Sequence, residues 1–327
     1  MAYLFVHFRE TYGEEGEQVY FSVSENGYVW NMVNHGEPIL VADKGDFGVR
    51  DIVITRTKND SFVIMATDLA LRKNEATKYN GSIRTAFKEG SKCLAMWKSD
   101  DLINWSEEML VDLSGGKLGC LWAPGIFFDE ENGDYIVHWS STCKEEDYSG
   151  LSIYYSRTED FVSFTEPKLF FKKADSETLD SCIVKEKDTY HFFVKSADNP
   201  KAVIHETALS LWGPYKRDVK FDEQMQLLEG KEKYEAPTTF RLKDGKTCLL
   251  MDFYGCEKKE DQGYVPFMMD SLEDVQLNKS QELFRFPYGF KHGVVIEITK
   301  EEYQRVVDRW GTNRTNCNMQ EQTSLMH

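Results

Sequence analysis

Short apolar segments recur along the whole chain, and polar turn residues separate them. In segments 61–68, 134–140, 189–195 and 247–254, apolar residues dominate, and Gly, Asn, Asp or Ser residues flank them. Segments of this composition, bounded by turn residues, are typical of β-strands. The pattern therefore predicts an all-β protein.

One predicted strand recurs five times. Residues 179–184 form a short apolar strand that begins with a carboxylate, and four other strands resemble it. The residues assigned to the equivalent position are Asp51, Gly125, Asp180, Glu235 and His292. They are separated by 74, 55, 55 and 57 residues, which suits a four-stranded sheet with its loops. The sequence therefore predicts a five-bladed β-propeller with one blade per interval.

The first three strands lack an inner partner. Residues 3–8, 18–24 and 28–33 are predicted to form antiparallel strands, and the missing inner strand is assigned to residues 293–299. The N-terminal strands would then pair with the C-terminal strand and close the ring, which removes the open edge of a linear array.

The sequence predicts one domain. Residues 1–308 are assigned to the propeller, with a short helix over 300–307, and residues 309–327 to a disordered tail. No segment has the composition of an interdomain linker.

Composition excludes several classes of partner. The chain has 39 Lys and Arg against 55 Asp and Glu, a formal net charge of −16. That charge repels phosphate backbones and anionic lipids, so we expect neither a nucleic-acid nor a membrane partner. The hydrophobic share of 41%, with 21 Phe, 16 Tyr and 7 Trp, is ample for a large core and for sugar-binding aromatic surfaces.

The first eight residues alternate as a strand does and lack the basic start of a signal peptide, so we expect a cytoplasmic protein.

The seven cysteines are odd in number and show no CxxC spacing, which argues against a disulfide framework and a zinc site. No metal-ligand set is predicted.

Three carboxylates are predicted to converge. Inner strands of a propeller run the same way, so Asp51, Asp180 and Glu235 would meet at one mouth of the central channel. Hydrolysis of a glycosidic bond needs one protonated carboxyl as acid and one ionised carboxylate as base or nucleophile. A third acid can hold the donor's pKa up by like-charge repulsion.

The second strand of each blade should end at the same mouth, because it runs antiparallel to the first. Asp68, Ser140, Lys195 and Tyr254 are therefore predicted at the pocket wall. The loop over 71–91 is longer than a turn requires, which indicates a functional loop.

At these residues the chain resembles glycoside hydrolase family 43, the five-bladed propeller hydrolases that include α-L-arabinofuranosidases, β-xylosidases and arabinanases. The matching segments are Arg50-Asp51, Trp122-Ala123-Pro124, Leu179-Asp180, Tyr234-Glu235-Ala236-Pro237 and Lys291-His292-Gly293. The resemblance implies an inverting reaction with Asp51 as general base, Glu235 as general acid, and Asp180 as the residue that orients the acid and raises its pKa.

Arg50, Trp122, Asp68, Tyr254 and His292 are the predicted substrate contacts. His292 matches an axial histidine that in some members lies near a water or a calcium ion, although a core histidine fits the sequence as well. No cofactor is expected to be required, and the resemblance allows a structural calcium on the axis near His292.

The chain departs from the family pattern at two positions. Ile52 stands where the family often has proline after the base, which alters backbone stiffness and keeps the carboxylate. Gly125 stands where an acidic residue usually follows Trp-Ala-Pro. The glycine either loses a polar contact or opens space for a bulkier sugar.

These observations predict an inverting, exo-acting hydrolase of short plant-derived oligosaccharides, with α-L-arabinofuranosides as first choice and β-xylosides as second. Two alternatives remain open. One is a non-catalytic propeller that binds a carbohydrate or a protein, and the other is a related propeller hydrolase or phosphorylase that acts on another sugar.

Overall fold

In the computed structural model, the chain is an all-β five-bladed propeller, as the sequence predicts. The structure describes residues 1–10, 16–258 and 262–313. Its strands form five antiparallel sheets. Blade one contains β1 (Ala2–His7), β2 (Tyr20–Ser24) and β3 (Asn31–Val33); blade two contains β4 (Val49–Arg56), β5 (Phe62–Asp68), β6 (Cys93–Ser99) and β7 (Met109–Asp112); blade three contains β8 (Trp122–Asp129), β9 (Asp134–Ser141), β10 (Ser152–Thr158) and β11 (Lys168–Phe171); blade four contains β12 (Thr178–Glu186), β13 (Thr189–Ser196), β14 (Ala202–Ala208) and β15 (Lys216–Arg217); blade five contains β16 (Tyr234–Arg241), β17 (Thr247–Phe253) and β18 (Gly263–Met269).

The two chain ends complete blade one. Strand β19 (Gly293–Ile298) is its inner strand and pairs antiparallel with β1, from Ala2 opposite Ile298 to His7 opposite Gly293. Strand β20 (Thr312–Asn313) adds to its outer edge beside β3. The inner strands contact one another in the order β4, β8, β12, β16, β19 and back to β4, so the ring is closed.

In the described part of the chain, four α-helices accompany the sheets: α1 (Leu71–Asn74), α2 (Ile83–Glu89), α3 (Val219–Leu227) and α4 (Lys300–Trp310). Short 3-10 turns lie at Asn34–Gly36, Lys144–Glu146, Lys231–Lys233, Leu272–Asp274 and Gln281–Leu283. Among the described residues, no helix has the length and apolar character needed to cross a membrane.

The predicted boundary of the tail at residue 309 is wrong. A capping box at Thr299 and Glu302 starts α4, which continues to Trp310 because its indole packs against Phe21, with ring centroids 6.0 Å apart. Residues 312–313 then form β20, and the rest of the predicted tail, 314–327, lies outside the described residues.

The core fills the spaces between neighbouring blades. Five large apolar clusters lie between blades one and two, two and three, three and four, four and five, and five and one. Each blade is therefore packed on both faces, and the inner strands have little freedom to shift.

Each inner strand from β4 to β16 contains a break in register with its second strand. At the break, Asp51, Ala123, Asp180 and Ala236 have positive φ angles of 53°, 50°, 53° and 49°. These four residues occupy the equivalent position in their strands. The predicted alignment was therefore wrong in two strands: Gly125 lies two residues after the equivalent residue Ala123, and Glu235 lies one residue before Ala236. A bulge inserts a residue and re-aims its neighbours, which allows carboxylates from two register positions to reach one mouth.

Candidate active site

Asp51 lies on the bulge of β4, and each of its two carboxylate oxygens contacts a polar side chain. Its Oδ1 is 3.0 Å from Nδ1 of His292, and its Oδ2 accepts a 2.8 Å hydrogen bond from the Thr67 hydroxyl. Burial alone would raise the pKa of Asp51, but His292, the nearby Arg50 and the Thr67 hydrogen bond lower it to about 2. Asp51 is thus ionised, and each oxygen keeps a second lone pair for a water molecule.

Glu235 is the second residue of β16 and has the opposite electrostatic environment. Burial, followed by the charges of Asp180 and Asp252, raises the pKa of Glu235 to about 8, against the opposing effect of Lys291 and Lys195. The carboxyl therefore holds its proton at neutral pH.

Asp180 lies on the bulge of β12 and is 8% exposed. Its backbone N–H donates a 3.1 Å hydrogen bond to the Ser140 hydroxyl. Burial, helped by Asp51, raises the pKa of Asp180 to about 6, although His292 and Lys195 oppose the shift. The three carboxyls therefore differ in their affinity for a proton, as separate acid and base roles require.

Two buried lysines stand beside Glu235. Lys195 Nζ donates to the backbone carbonyl oxygens of Glu232 and Tyr234 at 2.7 and 2.6 Å. Lys291 Nζ lies 2.9 Å from Oδ1 of Asp252 and 3.6 Å from a carboxylate oxygen of Glu10. Each ammonium group is thus held in a fixed place.

The penultimate residue of each second strand in blades two to five reaches the following blade. These residues are Thr67, Ser140, Lys195 and Asp252, which we call the interblade ring. Thr67 accepts from the N–H of Ala123 at 2.8 Å, and Ser140, Lys195 and Asp252 make the contacts given above. Each lies opposite the residue that precedes a bulge. The interblade ring therefore fixes the relative positions of the inner strands at the mouth.

The sequence predicted Asp68 at the pocket wall, but in the structure the neighbouring Thr67 takes that place. Asp68 is 2% exposed, and its Oδ1 accepts from the backbone N–H of Asp46 at 2.7 Å. Neighbouring residues of a strand face opposite sides, so Asp68 supports the preceding loop and Thr67 faces the pocket.

Three other predicted contacts surround the carboxylates. The Arg50 guanidinium is ion-paired with Glu17 at 2.7 Å and lies over the Phe8 ring, 4.6 Å from its centroid. Trp122 is half-buried, with one side covered by Phe87 of α2. The Tyr254 hydroxyl donates to the carbonyl of Glu232 at 3.0 Å, so it supports the segment before Glu235.

The loop over 71–91 is anchored to neighbouring blades. The carbonyl of Phe87 accepts from the N–H of Cys120 at 3.0 Å and from the hydroxyl of Thr142 at 2.7 Å, both in blade three. Arg84 of α2 forms an ion pair with Glu177, next to β12 of blade four. This loop therefore forms a wall that extends from blade two towards blade four.

Below the carboxylates, a cavity of about 150 Å³ follows the channel axis. His138 fills the space over Gly125: a Cβ on that glycine would lie 2.2 Å from His138 Cε1. The imidazole shares a 2.8 Å hydrogen bond between Nδ1 and Ser181 Oγ, and burial lowers its pKa to about 3, so it is neutral. The expectation that Gly125 opens space for a bulkier sugar is therefore wrong.

The geometry agrees with comparison to known proteins. Residues 1–304 match a family described as "Probable glycosyl hydrolase domain", a relative of glycoside hydrolase family 43. The chain belongs to this glycosyl hydrolase family.

Individual relatives of this glycosyl hydrolase are distant. An α-L-arabinofuranosidase of Bifidobacterium longum is 27% identical over 203 residues, which are 55% of this chain and 18% of that protein. The chain thus spans less than a fifth of that curated relative. An endo-1,4-β-xylanase structure from Bacteroides thetaiotaomicron has a TM-score of 0.57 at 12% identity and covers 89% of this chain and 92% of its own. A mutant of the family 43 protein BlXynB from Bacillus licheniformis has a TM-score of 0.55 at 15% identity, with coverages of 86% and 52%. At these identities the two structures establish the fold alone.

The axial residues of this glycosyl hydrolase do not fit the calcium ion that the resemblance allows. Calcium takes six to eight oxygen ligands, often from carboxylates. Here His292 is paired with Asp51, and the cavity presents imidazoles together with the hydroxyls of Ser181 and Thr238. Within the described ranges, no group of three or more His, Cys, Asp or Glu residues could hold a metal ion.

Sequence reasoning missed Thr67 and Asp252, and it did not foresee that His292 would pair with the base. A signal for the first two exists in the sequence. Both are polar residues close to the end of a mostly apolar strand, as are Ser140 and Lys195 in their own blades. The pairing of His292 depends on ring closure, which brings residues 51 and 292 together across the whole chain.

Proposed function

We propose that this chain hydrolyses the glycosidic bond of a terminal sugar by a single displacement with inversion. The observation that supports this most directly is the unequal protonation of the three carboxyls. The pKa of Asp51 is lowered to about 2, whereas that of Glu235 is raised to about 8. Between those values a base and an acid coexist in their active forms.

In the proposed step, Glu235 donates its proton to the leaving oxygen while the bond from that oxygen to the anomeric carbon breaks. A water molecule attacks the anomeric carbon from the opposite face and gives its proton to Asp51. Asp180 carries negative charge beside Glu235 and keeps that carboxyl protonated until the leaving oxygen approaches. Exchange with solvent then returns both groups to their starting states.

The substrate class is the finer part of the proposal. We propose short plant-derived oligosaccharides cut from one end, with α-L-arabinofuranosides first and β-xylosides second. The name of the Bifidobacterium longum relative supports the first sugar. The anchored loop over 71–91 supports a pocket closed on one side, as exo action requires. The cytoplasmic location belongs to this proposal too, because imported oligosaccharides would be the substrates met there.

The alternatives receive less support. A binding module gains nothing from burying three mutually repelling carboxyls, which costs free energy. A phosphorylase needs a cationic site for phosphate beside the acids. Of the two lysines there, Lys291 is ion-paired with Asp252 and Glu10, and Lys195 points its ammonium group at two backbone carbonyls that precede Glu235.

The test compares an activated and a natural leaving group. Wild type, Asp51→Asn and Glu235→Gln are assayed on nitrophenyl α-L-arabinofuranoside and β-D-xyloside and on the matching disaccharides. Nitrophenol leaves readily without a proton, so Glu235→Gln should lose far more activity on disaccharides than on nitrophenyl glycosides, whereas Asp51→Asn should lose on the order of 100-fold or more on both. Proton NMR of the first product should show inverted configuration. Wild-type rates of Asp51→Asn on either class of substrate, wild-type rates of Glu235→Gln on the disaccharides, or retained configuration would contradict the mechanism.

A further inference from the structure

We propose that Lys195 positions the general acid and compensates the negative charge that appears on Glu235 when it gives up its proton. This inference rests on the proposed function and assigns a positioning residue to it. Three features of the structure support it: the place of Lys195, its bonding, and the charges around it.

Lys195 holds the backbone that leads into Glu235. It is 3% exposed and extends from β13 of blade four to blade five. Its ammonium group donates to the carbonyls of Glu232 and Tyr234, and the second of these directly precedes Glu235. The Tyr254 hydroxyl donates to the same Glu232 carbonyl at 3.0 Å. The backbone that precedes the acid is thus held by donors from β13 and from the residue that follows β17.

The charge of Lys195 has no carboxylate in contact to neutralise it. Its two bonded partners are neutral carbonyl groups, and no ion pair within 4.0 Å joins it to a carboxylate in the described part of the chain. Lys291 differs, because Asp252 lies 2.9 Å from its Nζ. Burial lowers the pKa of Lys195 to about 8, so the lysine is cationic at neutral pH, and its charge acts on Glu235 and Asp180.

Proton transfer changes the charge next to this lysine. Before the transfer, Asp180 is negative and Glu235 is neutral; afterwards both are negative. Asp180 and Asp252 disfavour the new charge on Glu235, whereas Lys195 and Lys291 favour it. Lys195 also faces Glu232 and Lys201, whose effects on it oppose each other. A fixed cation that stabilises charge only as it develops lowers the barrier rather than the ground state.

Substitution of Lys195 should move the pH profile in a defined direction. Glu235 acts in its protonated form, so its pKa sets the basic limb of kcat/KM. Removal of a nearby cation raises that pKa, and the basic limb should move to higher pH by about one unit while kcat on disaccharides falls about 10- to 100-fold. Activity on nitrophenyl glycosides should fall less, because their leaving group needs little protonation.

The variants are Lys195→Met, which removes charge and donors, and Lys195→Gln, which removes charge and keeps an N–H donor. The control is Lys98→Met, because Lys98 also donates to a backbone carbonyl, that of Asp160 at 3.1 Å. Thermal unfolding establishes which variants are folded, and Lys195→Gln serves if Lys195→Met is not. A slow variant whose basic limb is unmoved, or lies at lower pH, would overturn the charge role.

Glu235→Gln, measured in parallel, separates this inference from the proposed function. If Glu235→Gln keeps wild-type activity on disaccharides, Glu235 is not the acid, and the role of Lys195 fails with it. If Glu235→Gln is inactive on disaccharides and both Lys195 variants have the wild-type profile, the proposed function stands and the inference about Lys195 is wrong.

Discussion

The imidazole of His292 and the carboxylate of Asp51 are 3.0 Å apart, although the two residues belong to opposite ends of the chain. Each changes the proton affinity of the other: the pair lowers the pKa of Asp51 to about 2 and raises that of His292 to about 9, against a burial effect that opposes both shifts. The proposed base is therefore ionised under every condition in which the protein is expected to work.

Replacement of His292 should raise the lowest pH at which the protein is active. In His292→Gln the pKa of Asp51 should rise, since the cation that lowers it is gone. Asp51 acts as a base only when ionised, so the acidic limb of kcat/KM should move to higher pH. His205→Gln is the matched control, because His205 also pairs with an aspartate, Asp218 at 2.9 Å, away from the mouth. An acidic limb at its wild-type position would contradict this account of the pair.

The same pair should contribute to stability in a defined pH window. A lowered carboxyl pKa stabilises the fold above the unfolded value near 3.9 and loses this effect as pH falls towards about 2. A raised histidine pKa stabilises below the unfolded value near 6.5 and loses its effect as pH rises through about 9. Urea unfolding should therefore show the largest deficit of His292→Gln between about pH 4 and 6.5. An equal deficit at about pH 10 would indicate lost packing instead.

Asp180→Asn should shift the profile in the direction opposite to Lys195→Gln. The substitution removes a negative charge that raises the pKa of Glu235, so the basic limb should move to lower pH. We also expect a loss of turnover on the order of 100-fold, because the acid is less well held in its protonated state. Asp218→Asn controls for loss of a carboxylate elsewhere. A basic limb at higher pH would mean that Asp180 does not act through Glu235.

Thr67 connects the proposed base to the next blade through two hydrogen bonds. Substitutions can remove its hydroxyl group without changing the volume of its side chain, or keep the hydroxyl group and remove the methyl group. Thr67→Val keeps the volume but leaves the N–H of Ala123 without its acceptor and Oδ2 of Asp51 without the hydroxyl donor. We expect about 1 to 3 kcal/mol of lost stability, because a buried polar group is left unpaired. Thr67→Ser keeps the hydroxyl and should retain most of both stability and activity. Equal losses in the two variants would point to the missing methyl group.

The contact between Gly125 and His138 predicts a non-additive pair of substitutions. Gly125→Ala places a Cβ 2.2 Å from the His138 ring and should destabilise the fold by about 1 to 3 kcal/mol. The His138→Ala background removes the ring, so Gly125→Ala should cost little there. Denaturation of all four proteins completes the cycle. Additive losses would show that the imidazole does not exclude the side chain.

The fold was predictable because strand patterns and their spacing are local properties. Ring closure also followed from the sequence, since three N-terminal strands lacked an inner partner and residues 293–299 supplied one. The three acids were predicted because each belongs to a recognisable segment. Their exact alignment was not predictable, because no sequence motif indicates where a bulge adds one residue. Asp180 lies on the bulge of its strand, whereas Glu235 precedes the bulge of its own strand.

The rest of the site depends on three-dimensional neighbours. Asp68 was chosen over Thr67 because a shift of one residue reverses which face of a strand a side chain occupies. Likewise, nothing local to Gly125 indicates that an imidazole from β9 fills the space above it. Such facts arise from packing between strands, and a single sequence does not encode them in any short motif.

The position of His292 after all three acids in the chain links the proposed catalysis to protein synthesis. Asp51, Asp180 and Glu235 all leave the ribosome before residues 291 and 292, which carry the partners of Asp252 and Asp51, and before β19, the inner strand of blade one. A nascent chain that has completed blade five thus contains all three acids but lacks His292, the partner of Asp51. A polypeptide that stops there bears the three proposed catalytic carboxyls but has no closed ring to hold them, so the proposed activity requires that residues 291–298 have been synthesised.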